Sequence, residues 1–240
     1  MKKAALFLLS VSLFAVSCNF IDGERVRGNG NMKTENRTPG NFTGVKSYGF
    51  FDVYLSVGST NSVKIEGEEN LLPFIETYVE GDVLKITTKE GYNIDTRRDM
   101  KIFITAPSYT VVQCNGSGNI TGETKISSTG MLDVGVFGSA DVKLDVNAPE
   151  VEASIAGSGN VNLIGETKKF SSDITGSGDI RAMELKAEEA KATITGSGNT
   201  EVYASVKLDV RIVGSGDVRY KGGAAVNTNS VGSGSVKKLD

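Results

Sequence analysis

Histidine and tryptophan are missing from this chain of 240 residues, and there are only two cysteines and four prolines. Without histidine there is no Ser-His-Asp or Cys-His catalysis. The commonest general base and the commonest zinc ligand go with it. Two cysteines build no disulfide framework when one of them, Cys18, stands where an export leader should end; Cys114 then has no partner in the chain. Lys and Arg number 26 against 29 Asp and Glu, a net charge of −3, and they form no basic stripe. That argues against nucleic acid and against anionic lipid head groups as partners. With no tryptophan and 39% hydrophobic residues, the core has to come from thin aliphatic stacks. Glycine is plentiful at 29 residues, which beside so little proline points to many tight turns rather than disorder. The length suits one large all-β domain or two small ones.

The apolar run at residues 4–16, behind Lys2 and Lys3, is too short to span a bilayer and the right length for the core of a signal peptide. It ends in Ala15-Val16-Ser17-Cys18, which resembles a bacterial lipobox, with Ala15 in place of the usual leucine. The resemblance implies a leader at 1–17 and an acylated Cys18 that anchors the chain to a membrane, since several acyl chains on one residue anchor stably. Residues 18–40 are polar, rich in Asn, Gly and Arg, and without periodicity, so they read as a flexible tether. Asp22 and Glu24 close behind the anchor loosely resemble a surface-export signal of Bacteroidetes lipoproteins.

The dominant signal is an internal repeat. Gly-Ser-Gly, or a variant of it, begins at Gly116, Gly138, Gly157, Gly176, Gly196, Gly214 and Gly232, at spacings of 22, 19, 19, 20, 18 and 18 residues. The second glycines are Gly118, Gly159, Gly178, Gly198, Gly216 and Gly234. Two residues before each first glycine stand Cys114, Val136, Ile155, Ile174, Ile194, Ile212 and Ser230; four after it stand Ile120, Val142, Val161, Ile180, Thr200, Val218 and Val236. These columns are mostly apolar and alternate with polar neighbours, which is the period of a strand. A unit of this size cannot bury its apolar face alone, whereas units stacked in register bury the columns on one another and pair the backbone between coils. The expectation is an all-β, right-handed parallel β-helix or β-solenoid, with coils of about 19 residues. Glycine marks each corner because a sharp corner needs positive φ or a missing Cβ.

Three residues after each first glycine stand Asn119, Asp141, Asn160, Asp179, Asn199, Asp217 and Ser235, a strict Asn/Asp alternation over six coils. Carboxylates stacked one coil apart would repel by about 3 kcal/mol at an effective dielectric of 20. Interleaved asparagines double the separation and supply amide donors, so the column reads as a structural ladder. Calcium-binding β-rolls carry Asp on every turn at a nonapeptide period; here the period is twice that and half the carboxylates are missing. No metal or cofactor is expected.

Residues 41–110 lack the repeat but keep strand patterns, with Gly81-Asp82 as a hairpin-like turn and residues 70–76 as a short helical turn capped by Asn70. This part is expected to cap the solenoid built by residues 111–240, because a bare terminal coil is an exposed edge. The motifs Gly49-Phe50-Phe51-Asp52-Val53-Tyr54-Leu55, Asn70-Leu71-Leu72, Gly81-Asp82-Val83-Leu84-Lys85-Ile86 and the serial Gly-Ser-Gly-Asn/Asp units resemble the auto-transporter adhesins with a head GIN domain. The resemblance covers roughly residues 40–236. It implies a β-helix with Gly-Ser-Gly turns, a role in cell adhesion, assembly as a trimer, and no catalytic residues to carry over.

The corner loops run into strands rather than a helix N-terminus, so they are not expected to cradle phosphate. Seven equivalent serines without a base read as a turn ladder, and near-constant coil length leaves no long loop to wall an enzyme cleft. Cys114 lies in the inward column and is expected to be buried and inert. The reading is a non-enzymatic lipoprotein of the outer membrane that presents a β-solenoid face to a surface protein or glycan. The rival is a glycan-binding or carbohydrate-active β-helix, for which Tyr203 and Tyr220 are the aromatic candidates in the repeat region.

Overall fold

The computed structural model describes residues 23–240, so the expected leader and Cys18 lie outside the described residues. The first part contains β1 (Glu24–Arg27), β2 (Met32–Arg37), β3 (Gly44–Gly49), β4 (Asp52–Val57) and β5 (Ser62–Glu68). A 3-10 turn follows at Leu72–Phe74, then β6 (Ile75–Glu80), β7 (Val83–Thr88), β8 (Tyr92–Asp95) and β9 (Lys101–Ala106). Next come β10 (Val111–Gly116), β11 (Asn119–Gly122), β12 (Ile126–Ser127) and β13 (Met131–Gly138). Four long strands, β14 (Asp141–Gly157), β15 (Asn160–Gly176), β16 (Asp179–Gly196) and β17 (Asn199–Gly214), lead to β18 (Val218–Lys221), β19 (Ala225–Gly232) and β20 (Val236–Lys238).

From β10 onward the strands stack in parallel, as the repeat requires, into a β-solenoid whose coils hold about 19 residues. Each long strand leaves one corner, rounds the return edge and enters the next corner. The registers align the first glycines one above another, Gly138 on Gly157 and Gly157 on Gly176, up to Gly214 on Gly232. The two apolar columns face inward. Cys114, Val136, Ile194, Ile212, Ile120, Val142, Val161, Ile180 and Val218 are fully buried. Burying one such aliphatic side chain contributes about 1.5–3 kcal/mol, so the columns supply the driving force that no single coil has.

The parallel ladder starts earlier than the 111 boundary drawn from the repeat. β10 stacks on β3, with Gly116 on Gly49, and β11 stacks on β4, with Asn119 on Asp52. Gly49-Phe50-Phe51 is therefore the first corner. Phe51, fully buried, stands where later corners have their second glycine. Under this coil β7 pairs with β3 and β9 with β4, again in parallel. The ladder then turns antiparallel: β6 pairs with β7 through the expected hairpin at Gly81-Asp82, β5 with β9, and β2 with β5.

Two expectations are corrected here. Residues 24–37 are not a flexible tether, because β1 pairs with β8 and β2 with β5. Their connection is pinned by the buried Glu68 carboxylate, which accepts the backbone N–H of Gly30 at 2.6 Å, Arg97 at 2.8 Å and Arg98 at 3.3 Å. Gly28 lies against that carboxylate so closely that a Cβ there would meet it at 2.1 Å. Asn70 does not cap the helical turn, whose N-cap is Leu71 without a side-chain bond. Its side chain instead accepts the Asn29 N–H and donates to the Arg27 carbonyl, both across to the β1–β2 connection. The turn is held by Arg37, which donates to the carbonyls of Leu72 and Ile75.

Candidate functional site

The residues singled out by the repeat converge on one long edge of the solenoid. At each corner the first glycine has positive φ, from +118° at Gly49 to +143° at Gly116. Conformation is only part of the requirement. A Cβ on Gly196 would lie 2.2 Å from the Gly176 carbonyl oxygen, and one on Gly198 2.1 Å from that of Gly178. Glycine is needed because each corner backbone rests on the backbone of the corner beneath. The N–H groups of Ser158, Ser177, Ser197, Ser215 and Ser233 each donate at 2.9 Å to the first-glycine carbonyl of the preceding coil. These donors are spent on coil-to-coil bonds, and the corners have no nest of N–H groups to offer a phosphate. In the Gly138 corner the place of the second glycine is taken by Ala140, which is fully buried.

Beside the glycines runs the Asn/Asp ladder, and the structure adds a rung at its foot. Asn119 Nδ2 donates to Asp52 Oδ1 at 2.8 Å, Asn160 Nδ2 to Asp141 Oδ1 at 2.7 Å and Asn199 Nδ2 to Asp179 Oδ1 at 3.0 Å. The next link is different: the backbone N–H groups of Asp141 and Asp217 donate to Asn119 Oδ1 and Asn199 Oδ1, at 3.3 and 3.1 Å. Each asparagine amide thus donates to the preceding coil, and the carbonyls of Asn119 and Asn199 receive the following one. Above Asn160 the Asp179 N–H goes instead to the Gly159 carbonyl at 3.3 Å. The ladder ends where Ser235 donates both hydroxyl and N–H to Asp217 Oδ1; these bonds, the hydroxyl first, hold the Asp217 carboxyl below the usual carboxylate range. The Asp52 rung was legible as Gly49-Phe50-Phe51-Asp52-Val53, which matches the later units in all but its two phenylalanines.

Cys114 is fully buried in the inward column, its Sγ 3.4 Å from the Gly118 carbonyl. Burial, and then the negative charge of Asp52, push its thiol up to about 11, so it is no nucleophile at neutral pH. Among the described residues no group of three or more Asp, Glu and Cys side chains is placed to hold a metal ion.

Although no long loop rises from the solenoid, its return edge carries a groove of about 560 Å³, lined by Asn147, Pro149, Glu166, Lys168, Glu188 and Tyr203 among others. It arises where the coil beginning at Gly176 gives way to the shorter one beginning at Gly196. Register slips between Ala182 and Lys186, so that Ala182 pairs with Val202 and Lys186 with Tyr203. The Lys186 ammonium sits 4.4 Å over the Tyr203 ring and covers one face of it. Tyr220, the other aromatic candidate, is partly buried against the core.

Residues 41–224 match the sequence family described as "Putative auto-transporter adhesin, head GIN domain". Solved structures share the fold. A Bacteroides fragilis protein described as a putative adhesin superposes with a TM-score of 0.83 at 21% identity, covering 89% of this chain and all of its own. A Parabacteroides merdae protein, also described as a putative adhesin, gives 0.73 at 27% identity, with 91% and 100% coverage. A Parabacteroides distasonis protein described as a putative lipid binding protein gives 0.74 at 27% identity, with 90% and 100% coverage. No curated protein matches the chain.

Proposed function

Because the chain belongs to the family of auto-transporter adhesins with a head GIN domain, we propose that it is a non-enzymatic adhesin of the cell envelope. In this reading it is exported by the leader at 1–17, held in the outer membrane by lipid on Cys18, and presents the outside of its solenoid to a surface protein or glycan. Assembly into a homo-oligomer, a trimer by the family's example, belongs to the same proposal.

The observation that carries it is the family match over residues 41–224, joined to a solenoid whose inward columns are filled by aliphatic side chains. A filled interior leaves only outer faces and edges for a ligand, which suits a surface-binding protein and denies a lipid carrier the apolar cavity it needs. That also weighs against transferring lipid binding from the Parabacteroides distasonis relative. The test is protease digestion of intact cells that express the protein, with a lysed control. The expected result is cleavage on intact cells; complete protection until lysis would overturn surface adhesion.

A further inference from the structure

Four strands lie side by side on the outward face of the first coils, in the order β9, β4, β11, β14. One outward row across them reads Phe103, Tyr54, Thr121 and Lys143. The rings of Phe103 and Tyr54 stack with centroids 5.0 Å apart and planes 18° from parallel. Lys64, opposite Phe103 on β5, lies 4.1 Å over the Phe103 ring. Tyr54 is therefore braced on its β9 side by an aromatic ring that is itself sandwiched. On its β11 side the neighbour is only a threonine, and the short side chain leaves a recess of about 250 Å³ between Tyr54 and Lys143.

The lowest rungs of the ladder, Asp52, Asn119 and Asp141, also line this recess. Each carboxylate uses Oδ1 to accept an asparagine amide. Neither Oδ2 has a hydrogen-bond partner among the described residues, and the Thr121 hydroxyl and the Lys143 ammonium have none either. The recess thus offers a braced aromatic ring, two open carboxylate oxygens, one hydroxyl and one cationic donor. A pyranose ring has the matching set. Its C–H face lies on an aromatic ring, its neighbouring hydroxyls donate to carboxylates, and its oxygens accept from an ammonium. A purely apolar ligand would strand the polar groups, and an anionic one would meet the carboxylates of Asp52 and Asp141. The volume lies below the roughly 300–1,000 Å³ of pockets for drug-sized ligands, which suits a single ring rather than an enclosed chain.

We propose that this recess binds one neutral pyranose unit of a cell-surface glycan. The proposal rests on the adhesin reading, to which it gives a ligand class. The test titrates the purified protein with the methyl glycosides of glucose, galactose, mannose and N-acetylglucosamine, followed by saturation-transfer NMR. At least one glycoside is expected to bind. Its affinity should fall about tenfold or more in Tyr54→Ala and in Thr121→Phe, fall in Lys143→Ala, and stay unchanged in Tyr203→Ala. Lys143→Ala alters an exposed side chain only, so it reports even if the ring variants melt early. No binding of any glycoside at concentrations on the order of 10 mM, or binding indifferent to all three recess variants, overturns the proposal. In a second arm, beads coated with wild type or Thr121→Phe are scored for attachment to cells. If both attach equally, the recess is not the contact and the adhesin reading stands. If neither attaches, the adhesin reading fails, and the recess is judged by the titration alone.

Discussion

Glu68 shows how much can depend on one side chain. Burial alone would raise the pKa of its carboxyl, but the backbone N–H groups of Arg97, Gly30 and Arg98, helped by the Arg97 charge, outweigh it and hold the carboxyl below its ordinary value. A carboxylate held below its unfolded pKa contributes stability above that pKa and loses the contribution as pH falls through its folded value. Glu68→Gln turns an acceptor toward those N–H groups into a donor and should cost about 1–3 kcal/mol near pH 7. In denaturant titrations the gap between variant and wild type should close as pH drops below about 4. Thr200 is the opposite case. It is fully buried in an aliphatic column between Ile180 and Val218, and its hydroxyl has no partner. Thr200→Val keeps the shape and removes the stranded hydroxyl, so it should stabilise the fold by about 1 kcal/mol, read as a higher denaturation midpoint.

At the scale of the element, the corner divides labour between glycine and serine. Gly196→Ala forces a Cβ into the Gly176 carbonyl at a φ of +132° and should cost about 3 kcal/mol or more. The exposed Ser197 gives its backbone, not its side chain, to the stack, so Ser197→Ala should lie within about 0.5 kcal/mol of wild type in the same melts. In the ladder, Asn160→Asp would set three carboxylates in a row, Asp141, position 160 and Asp179, and remove an amide donor. Its destabilisation should grow at low ionic strength and largely vanish below about pH 4, where carboxylates protonate. These elements could be read from the chain because each requirement recurs every coil, and repetition makes a single-residue preference visible. The first strands could not. β1 and β2 are held by Glu68 and Asn70, contacts made once across some forty residues, and a contact made once leaves no period. The recess beside Tyr54 escaped for a related reason. Phe103, Tyr54 and Thr121 become neighbours only when two segments far apart in the chain stack in register.

For the whole molecule the two ends of the stack differ. The first coil is covered by antiparallel strands and carries the largest buried side chains, among them Tyr109, Phe51 and Leu55. At the other end β19 pairs with β17 and is exposed along its whole length. Two of its three inward positions have turned polar, Thr228 above Val210 and Ser230 above Ile212, while Val226 above Leu208 stays apolar but is exposed. A coil with polar inward positions meets water more readily than the coils beneath it. Local stability should therefore fall along the axis. Native-state hydrogen exchange should show strong protection in β14 to β16 and the fastest exchange of the solenoid strands in β19 and β20. Uniform protection through β19 would mean that something else covers that end.

The ladder also carries a rule of inheritance. From Asp52 to Asp217 acid and amide alternate without a break, and each asparagine hands its amide to the acid of the coil beneath. Duplicating or deleting one coil would place like beside like and leave a seam of two acids or two amides. Duplicating or deleting two would leave no trace. The true unit of growth is thus a pair of coils, and the lengths open to descendants of this chain have a parity.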